Sequence, residues 1–232
     1  MKLAVVTAVW KRPEVFEMFA KGIKKLQEDK DLEIEVFISG SEGEQSRSMV
    51  EAHSFHYVEA PNHPLAAKMN DALRLARSWQ PDYVLCVGSD DIISVELLDV
   101  YKFFMGQKVD YIGFTDCYFY DTTTGKASYW GGYREKWRKG HTCGAGRVLS
   151  KNILDKWRWK IWEDKQSHIL DNSMQEKLNK TPHKRAIFSL KDLGVYAMDI
   201  KSSTNMTPFK LWDNTTLINE EELLTKFDYV WD

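Results

Sequence analysis

The sequence predicts an α/β fold, a mainly parallel sheet flanked by helices, with a β-hairpin and a helical elaboration toward the C-terminus. Three observations support this. Apolar strand-like runs alternate with amphipathic helical stretches through the first hundred residues, the grammar of a parallel sheet with helices on both faces. The run Tyr83-Val84-Leu85-Cys86-Val87 is continuously apolar and ends in Gly88-Ser89-Asp90-Asp91, as buried parallel strands do before a loop. After residue 108 the pattern changes to aromatic strands and turn residues.

Taken in order, Leu3 to Val9 reads as a buried strand, and Pro13 sits where the first turn of a helix tolerates proline. The following helix carries Val15, Phe16, Phe19, Ile23 and Leu26 on one face. Leu32 to Ile38 alternates as a second strand closing on Ser39-Gly40-Ser41, residues 43 to 52 are helical, and Phe55 to Val58 is a third strand. Pro64 opens a helix with Leu65, Met69, Leu73 and Leu75 that ends near Pro81. The fourth strand, Tyr83 to Val87, precedes a helix from about Ser94 to Phe104. Val109 to Tyr120 reads as one long aromatic strand, turning at Asp121 to Gly125 into Ala127 to Trp130. Helices over 150–158 and 171–179, strands Ala186 to Leu190 and Val195 to Ile200, and a final helix over 218–227 complete the chain. The expected organisation is a single domain over 1–232. Residues 1–107 form its first half, and residues 108–232 complete the same sheet.

The 232 residues are 43% hydrophobic and 13% aromatic, enough for a packed core, which excludes disorder. A formal charge of −2 argues for neither nucleic acid nor membrane as a global partner, and no apolar run is long enough to span a bilayer. The N-terminus looks like a signal peptide, but its apolar part is short and runs into Lys11-Arg12. Cys86, Cys117 and Cys143 are widely spaced without a CxxC pair, which points to a reducing compartment and a cytoplasmic protein. His63, His141, His168 and His183 have no partners at ligand spacing.

Chemistry concentrates at strand ends. Two adjacent carboxylates, Asp90 and Asp91, beyond a buried strand suit a hard divalent cation, although capping the next helix accounts for them equally well. The first strand's exit, Thr7-Ala8-Val9-Trp10-Lys11-Arg12-Pro13, lacks the glycines of a dinucleotide turn and of a P-loop. It offers an indole, Trp10, able to stack on a nucleobase, and a cation, Arg12. Lys68 and Asn70 open the helix before the carboxylate strand, where an ammonium and the helix dipole both favour phosphate.

In order, Thr7 to Glu14, Pro64 to Asn70 and Gly88 to Asp91 resemble the landmarks of family-2-like glycosyltransferases of GT-A fold. The resemblance covers residues 3 to 100 well and extends more loosely to about 180. It departs at Lys11, where asparagine is usual, and at Ser39-Gly40-Ser41, where the family often has an acidic residue. The resemblance implies a nucleotide-diphosphate sugar across the sheet's carboxyl edge. Mn²⁺ or Mg²⁺ would sit at Asp91, and Thr7, Trp10, Arg12, Lys68, Asn70 and Asp90 would contact the donor; Asp199, from its own place at the end of a late strand, is a further candidate ligand. It also implies a general base for an inverting transfer. Glu163-Asp164 matches the family's letters, whereas Asp171, in Ile169-Leu170-Asp171-Asn172 before a helix, matches its context and is favoured.

Residues 134 to 160 hold nine Lys or Arg against two acids, and five of the nine tryptophans lie in or beside this stretch. Basic residues interleaved with aromatics bind nucleic acid or sugars, or cover a core with snorkelling side chains. Arg138, Lys139, Arg147, Trp162, Lys201 and Asn205 are the expected acceptor-side residues. Gly144 to Arg147, Asp199 to Lys201 and Asn205 are similar to compact, often phage-encoded glycosyltransferases. Some of these modify hydroxymethylated pyrimidines, which implies an acceptor hydroxyl on DNA. The rival readings are a non-catalytic sugar- or nucleic-acid-binding module and a sugar-phosphate nucleotidyltransferase.

Overall fold

A computed structural model describes the whole chain except Ile169, Met206, Thr207, Trp212, Asp213 and Asp232. The expected contribution of Ile169 to the start of the 171–179 helix therefore lies outside the described residues. Among the described residues no helix is long and apolar enough to cross a membrane.

The first half follows the predicted alternation: β1 Lys2–Ala8, α1 Pro13–Leu26, β2 Glu33–Gly40, α2 Glu44–Glu51, β3 His56–Glu59, α3 Leu65–Ser78 and β4 Tyr83–Cys86. The residues of β1 are almost all buried, and they alternate between two cores. Leu3 and Val5 face one, Ala4 and Val6 the other, as the two-residue period of a strand requires. The first core takes the face of α1 formed by Val15, Phe16, Phe19, Ile23 and Leu26. The second takes α3 through a stripe that keeps only Leu73 of the expected face. Ala66, Ala72, Leu73 and Ala76 are buried, whereas Leu65, Met69 and Leu75 are only partly so. Small residues on this face let α3 lie close on β1 and β2.

The second half departs from expectation in instructive ways. A three-residue strand, β5 Asp91–Ile93, precedes α4 Val95–Gly106. The long strand expected over Val109 to Tyr120 is two strands, β6 Tyr111–Phe114 and β7 Cys117–Asp121, lying in different sheets. The break falls at Asp116, which is buried and accepts hydrogen bonds from Tyr129 Oη, Ser189 Oγ and the backbone N–H groups of Leu190 and Lys191. A buried carboxylate must gather donors in this way, and doing so takes it out of the strand ladder. The hairpin to β8 Lys126–Trp130 is as predicted.

Next come β9 Arg147–Ser150, an unexpected strand, α5 Lys151–Lys156, α6 Leu170–Asn179 and β10 Arg185–Phe188. A short helix, α7 Leu190–Leu193, separates β10 from β11 Ala197–Lys201, and β12 Thr215–Ile218 follows. The expected final helix is broken into α8 Glu220–Leu224, a 3₁₀ turn and α9 Asp228–Trp231.

Two sheets result. The larger has the order β10-β6-β9-β4-β1-β2-β3, parallel except for β9, which runs antiparallel to both neighbours. The smaller has the order β12-β8-β7-β11-β5. The second half therefore does not simply extend one sheet: both halves of the chain contribute to both. Trp157, Trp159 and Trp162 of the tryptophan-rich stretch are core residues beneath the larger sheet. Their indole N–H groups donate to Thr181 Oγ1, Asp155 Oδ1 and the Leu170 carbonyl.

Gly146 sits at the entrance to β9 with φ +67°, where a Cβ would lie 2.4 Å from the Phe114 ring and 2.7 Å from Tyr101 Oη. Left-handed backbone and overpacking both oppose a side chain there. Gly146→Ala should lower stability by roughly 2–4 kcal/mol in denaturant titration, and an unchanged midpoint would contradict this packing.

Candidate active site

The strand order around β1 determines where a cleft opens. β2 and β3 lie on one side of β1 and β4 on the other, so the loops leaving β1 and β4 diverge. Ligand crevices in open α/β sheets lie at such switch points, beyond the strands' carboxyl ends. A cleft of about 1230 Å³ occupies this place, lined by residues 7–10 and 86–91 and by segments of the second half.

Gly88 begins the loop after β4. A Cβ there would lie 2.4 Å from Asp90 Oδ1 and 3.0 Å from Asp91 Oδ2, so glycine is what lets both carboxylates fold back over the turn. Asp91 Oδ2 accepts the Gly88 N–H at 2.6 Å. Asp91 then opens β5, and its direct partner across the antiparallel ladder is Asp199 of β11. Directly opposed residues stand about 5 Å apart at Cβ. Asp90, Asp91 and Asp199 accordingly each present an oxygen within 4.8 Å of the others.

Carboxylates this close resist ionising together. Burial, then the charge of Asp90, pushes Asp91 up to about 7. The same causes raise Asp199 well above the usual carboxylate range. Three groups offset the repulsion. Lys11 and Arg12 both adopt left-handed backbone, φ 56° and 62°, rare outside glycine. Arg12 reaches back from that turn with Nη1 2.7 Å from Asp90 Oδ2 and Nη2 3.1 Å from Ser89 Oγ. Lys201, buried two residues beyond Asp199, places Nζ 2.5 Å from Asp199 Oδ2. Asn205 Nδ2 donates to Asp90 Oδ2 at 2.7 Å.

Asp199 Oδ1 remains buried with no hydrogen-bond partner. An all-oxygen set of three carboxylates, opposed by two side-chain cations and holding one unpartnered oxygen, fits a hard divalent ion such as Mg²⁺ or Mn²⁺.

Several expected site residues have other duties. Lys201 and Asn205, expected on the acceptor side, belong to the carboxylate cluster, because β11 carries Lys201 on the same face as Asp199. Lys68 lines the cleft but is buried, not solvated, and it is not a free phosphate ligand. Its ammonium donates to the Val9 carbonyl at 2.6 Å, Ser41 Oγ at 2.8 Å and Asn62 Oδ1 at 3.1 Å. All three protons are thereby used, and the exits of β1, β2 and β3 are tied together. Burial lowers its pKa to about 8, so the ammonium persists at neutral pH.

Asn70 is not in the cleft lining. Its amide donates to the Trp162 carbonyl and Asp164 Oδ1 and accepts from the Ile161 and Trp162 N–H groups, fastening the 161–164 loop to α3. Trp162 is buried, though it borders the cleft. Arg147 is also buried, and Lys139 is exposed outside the cleft lining. Arg138 lines the cleft with its guanidinium 3.4 Å from the Tyr133 ring centroid.

Thr7 and Trp10 line the cleft as expected. Thr7 Oγ1 is buried without a partner, and Trp10 is 37% exposed at the lip. Of the two base candidates, Asp171 in the first turn of α6 lines the cleft. Asp164 does not, and is engaged by Lys160 and Asn70. Sequence reasoning missed Asn62 and Thr142, which lie in loops with no periodicity to mark them, and it quoted Ser41 and Gly144 only within longer runs, with no role at the site.

No protein-family model and no curated protein sequence matches the chain. Solved structures do. S. aureus TarS 1-349 superposes with a TM-score of 0.66 at 17% identity, covering 86% of this chain and 60% of TarS 1-349. Its complex with UDP-GlcNAc gives 0.59 at 17% identity, over 88% and 60% of the two chains. Its complex with UDP gives 0.55, also at 17%, over 83% and 62%. The chain thus spans about 60% of the TarS fragment it matches. At this identity the likeness concerns the fold, and the fold is the GT-A-like arrangement of a helix-flanked sheet that the sequence predicted.

Lys68→Met would leave three acceptors on the cleft wall without their donor. Unsatisfied buried groups cost about 1–3 kcal/mol each, partly relieved here by solvent reaching the cleft. The variant should lose roughly 2–4 kcal/mol in urea titration, and an unaltered midpoint would remove the strut role.

Proposed function

We propose that the chain is a metal-dependent glycosyltransferase that moves a sugar, with inversion, from a nucleotide-diphosphate donor to an acceptor hydroxyl. The observation that carries this reading is one cleft that joins an oxygen-rich, cation-compatible cluster (Asp90, Asp91 and Asp199) to a separate carboxylate, Asp171. The fold shared with TarS, which binds UDP and UDP-GlcNAc in its complexes, supports a nucleotide-sugar donor. Residues 1–107 would serve mainly the donor and residues 108–232 mainly the acceptor, within one domain.

In this reading Asp91 and Asp199 would hold the divalent ion, whose charge would offset that developing on the departing diphosphate. Arg12 keeps Asp90 in place and sets a fixed positive charge beside it. Trp10, with Lys11 Nζ over its ring at 4.4 Å, offers an exposed indole to the nucleobase, and Thr7 offers a hydroxyl with no other partner. Asp171 takes the proton of the acceptor hydroxyl. The acceptor oxygen bonds to the sugar's anomeric carbon as that carbon's bond to the diphosphate oxygen breaks, and the electron pair leaves with the nucleoside diphosphate.

Tyr133, Arg138 and the 65%-exposed Trp137 support an acceptor that can stack and carry negative charge. A hydroxymethylated pyrimidine in DNA belongs to that class. Its support is narrower than the sequence suggested, because Trp157, Trp159 and Trp162 are occupied in the core.

Thermal-shift measurement against UDP-, GDP- and dTDP-sugars tests the reading. One donor should raise stability only with Mn²⁺ or Mg²⁺, by about 2.7 kcal/mol at a hundredfold excess over Kd. The same donor should slowly release nucleoside diphosphate to water, and Asp91→Ala should abolish that release. Hydrolysis persisting in the variant would overturn the metal assignment. No shift and no release with any donor would overturn the transferase reading.

A further inference from the structure

β9 is the one strand of the larger sheet that runs against its neighbours, and its direction has a chemical result. Its first residue, Arg147, pairs in register with Cys86, the last residue of β4. The inserted strand therefore delivers a guanidinium to the same sheet edge that carries Asp90 and Asp91. Arg147 is 3% exposed, and a buried charge needs a paired and hydrogen-bonded setting.

Thr142 supplies most of that setting. Arg147 Nε donates to Thr142 Oγ1 at 3.2 Å and Nη2 to the Thr142 carbonyl at 3.0 Å. Thr142 is fixed in turn by the buried Tyr111 hydroxyl. Its side chain also packs over Gly113, where a Cβ would lie 2.8 Å from Thr142 Cγ2. The Nε–Nη2 edge of the guanidinium is thereby pinned, and the remaining nitrogen, Nη1, donates to Met174 Sδ at 3.6 Å and pairs with the Asp171 carboxylate, 3.1 Å from Oδ1. Gly144 completes the seat, since a Cβ there would come within 2.8 Å of Asp171 Oδ1 and 3.0 Å of Oδ2.

We propose that Arg147, held by Thr142, is the positioning residue for the general base: it fixes the carboxylate of Asp171 at the cleft wall so that this group meets the incoming hydroxyl in one orientation. This rests on the transferase reading, with Asp171 as its base. Arg147 borders the cleft but is almost wholly buried, and its role runs through Asp171.

The test uses the full chain, Mn²⁺ and the panel donor that the wild type hydrolyses, with water as the acceptor. Water's oxygen bonds to the anomeric carbon, its proton goes to Asp171, and the nucleoside diphosphate leaves. Arg147→Lys keeps the charge but loses the two-point grip on Thr142. It should lower kcat roughly 10²-fold, the scale of a misplaced catalytic group, with donor Kd by calorimetry unchanged. Arg147→Met should fall further, so that lysine is a partial rescue. In Asp171→Asn the base is gone, and adding Arg147→Lys to that variant should cost nothing more.

Gly144→Ala, which crowds Asp171 without touching the Thr142 links, provides a second route if the arginine variants fail to fold. It should lower kcat at constant donor Kd, and an unchanged kcat would overturn the proposal. So would an additive loss in the double variant, or a parallel loss of donor affinity and kcat. A wild type that hydrolyses no donor overturns the transferase reading itself, and an Asp171→Asn variant with full activity overturns the base assignment. Each failure is distinct from a failure of Arg147 alone.

Discussion

The arrangement depends on three carboxylates held together where the two sheets meet. Asp91 and Asp199 face each other because β5 and β11 pair antiparallel in that register, and Asp90 precedes Asp91 in a turn that only Gly88 makes roomy enough. Repulsion among them is offset by side chains from three separate segments: Arg12 after β1, Lys201 at the end of β11 and Asn205 in the loop beyond. A single-residue slip of β11 would turn Asp199 and Lys201 to the other face together. The register of the smaller sheet is therefore also the register of the site.

Around that centre the cleft wall is built from buried polar ties. Lys68 joins the exits of β1, β2 and β3, Asn70 fastens the 161–164 loop to α3, and Asp116 gathers the hairpin and the start of α7. Each is a polar group that is buried with its partners supplied, the form in which such groups add rigidity rather than cost. Flat, open or charged side chains such as Trp10 and Arg138 are left at the rim of the cleft.

Much of this was legible in the sequence, and the boundary of legibility has a physical cause. The first hundred residues were readable because each element announces itself locally: the face of α1 by its period, and β4 by an apolar run ending at Gly88. Asp90, Asp91 and Asp171 stood out as candidates because each follows or opens a regular element. β5 has only three residues, too few for a pattern. β9 hides in a stretch whose glycines and arginine read as loop, and its antiparallel insertion between β4 and β6 depends on long-range pairing. The basic, tryptophan-rich stretch stayed open between a binding surface and a cover for the core, because composition does not say which side a residue faces. Its three buried indoles belong to the core, while residues around Trp137 and charged residues such as Lys156 and Arg158 remain outside. Asn70 and Lys68 stood at the right place for ligand binding, yet their partners, at positions 41, 62 and 161–164, are set only by the fold.

The central claim is that the Asp91–Asp199 pair forms a cation site within a nucleotide-binding cleft. Crystals of the full chain grown with Mn²⁺ and UDP, measured at a wavelength where manganese scatters anomalously, test it most directly. The account predicts one manganese peak coordinated by Asp91 and Asp199 and adjacent to the diphosphate. Nucleotide bound in the cleft without manganese at these carboxylates, with Lys201 still seated on Asp199, would contradict it.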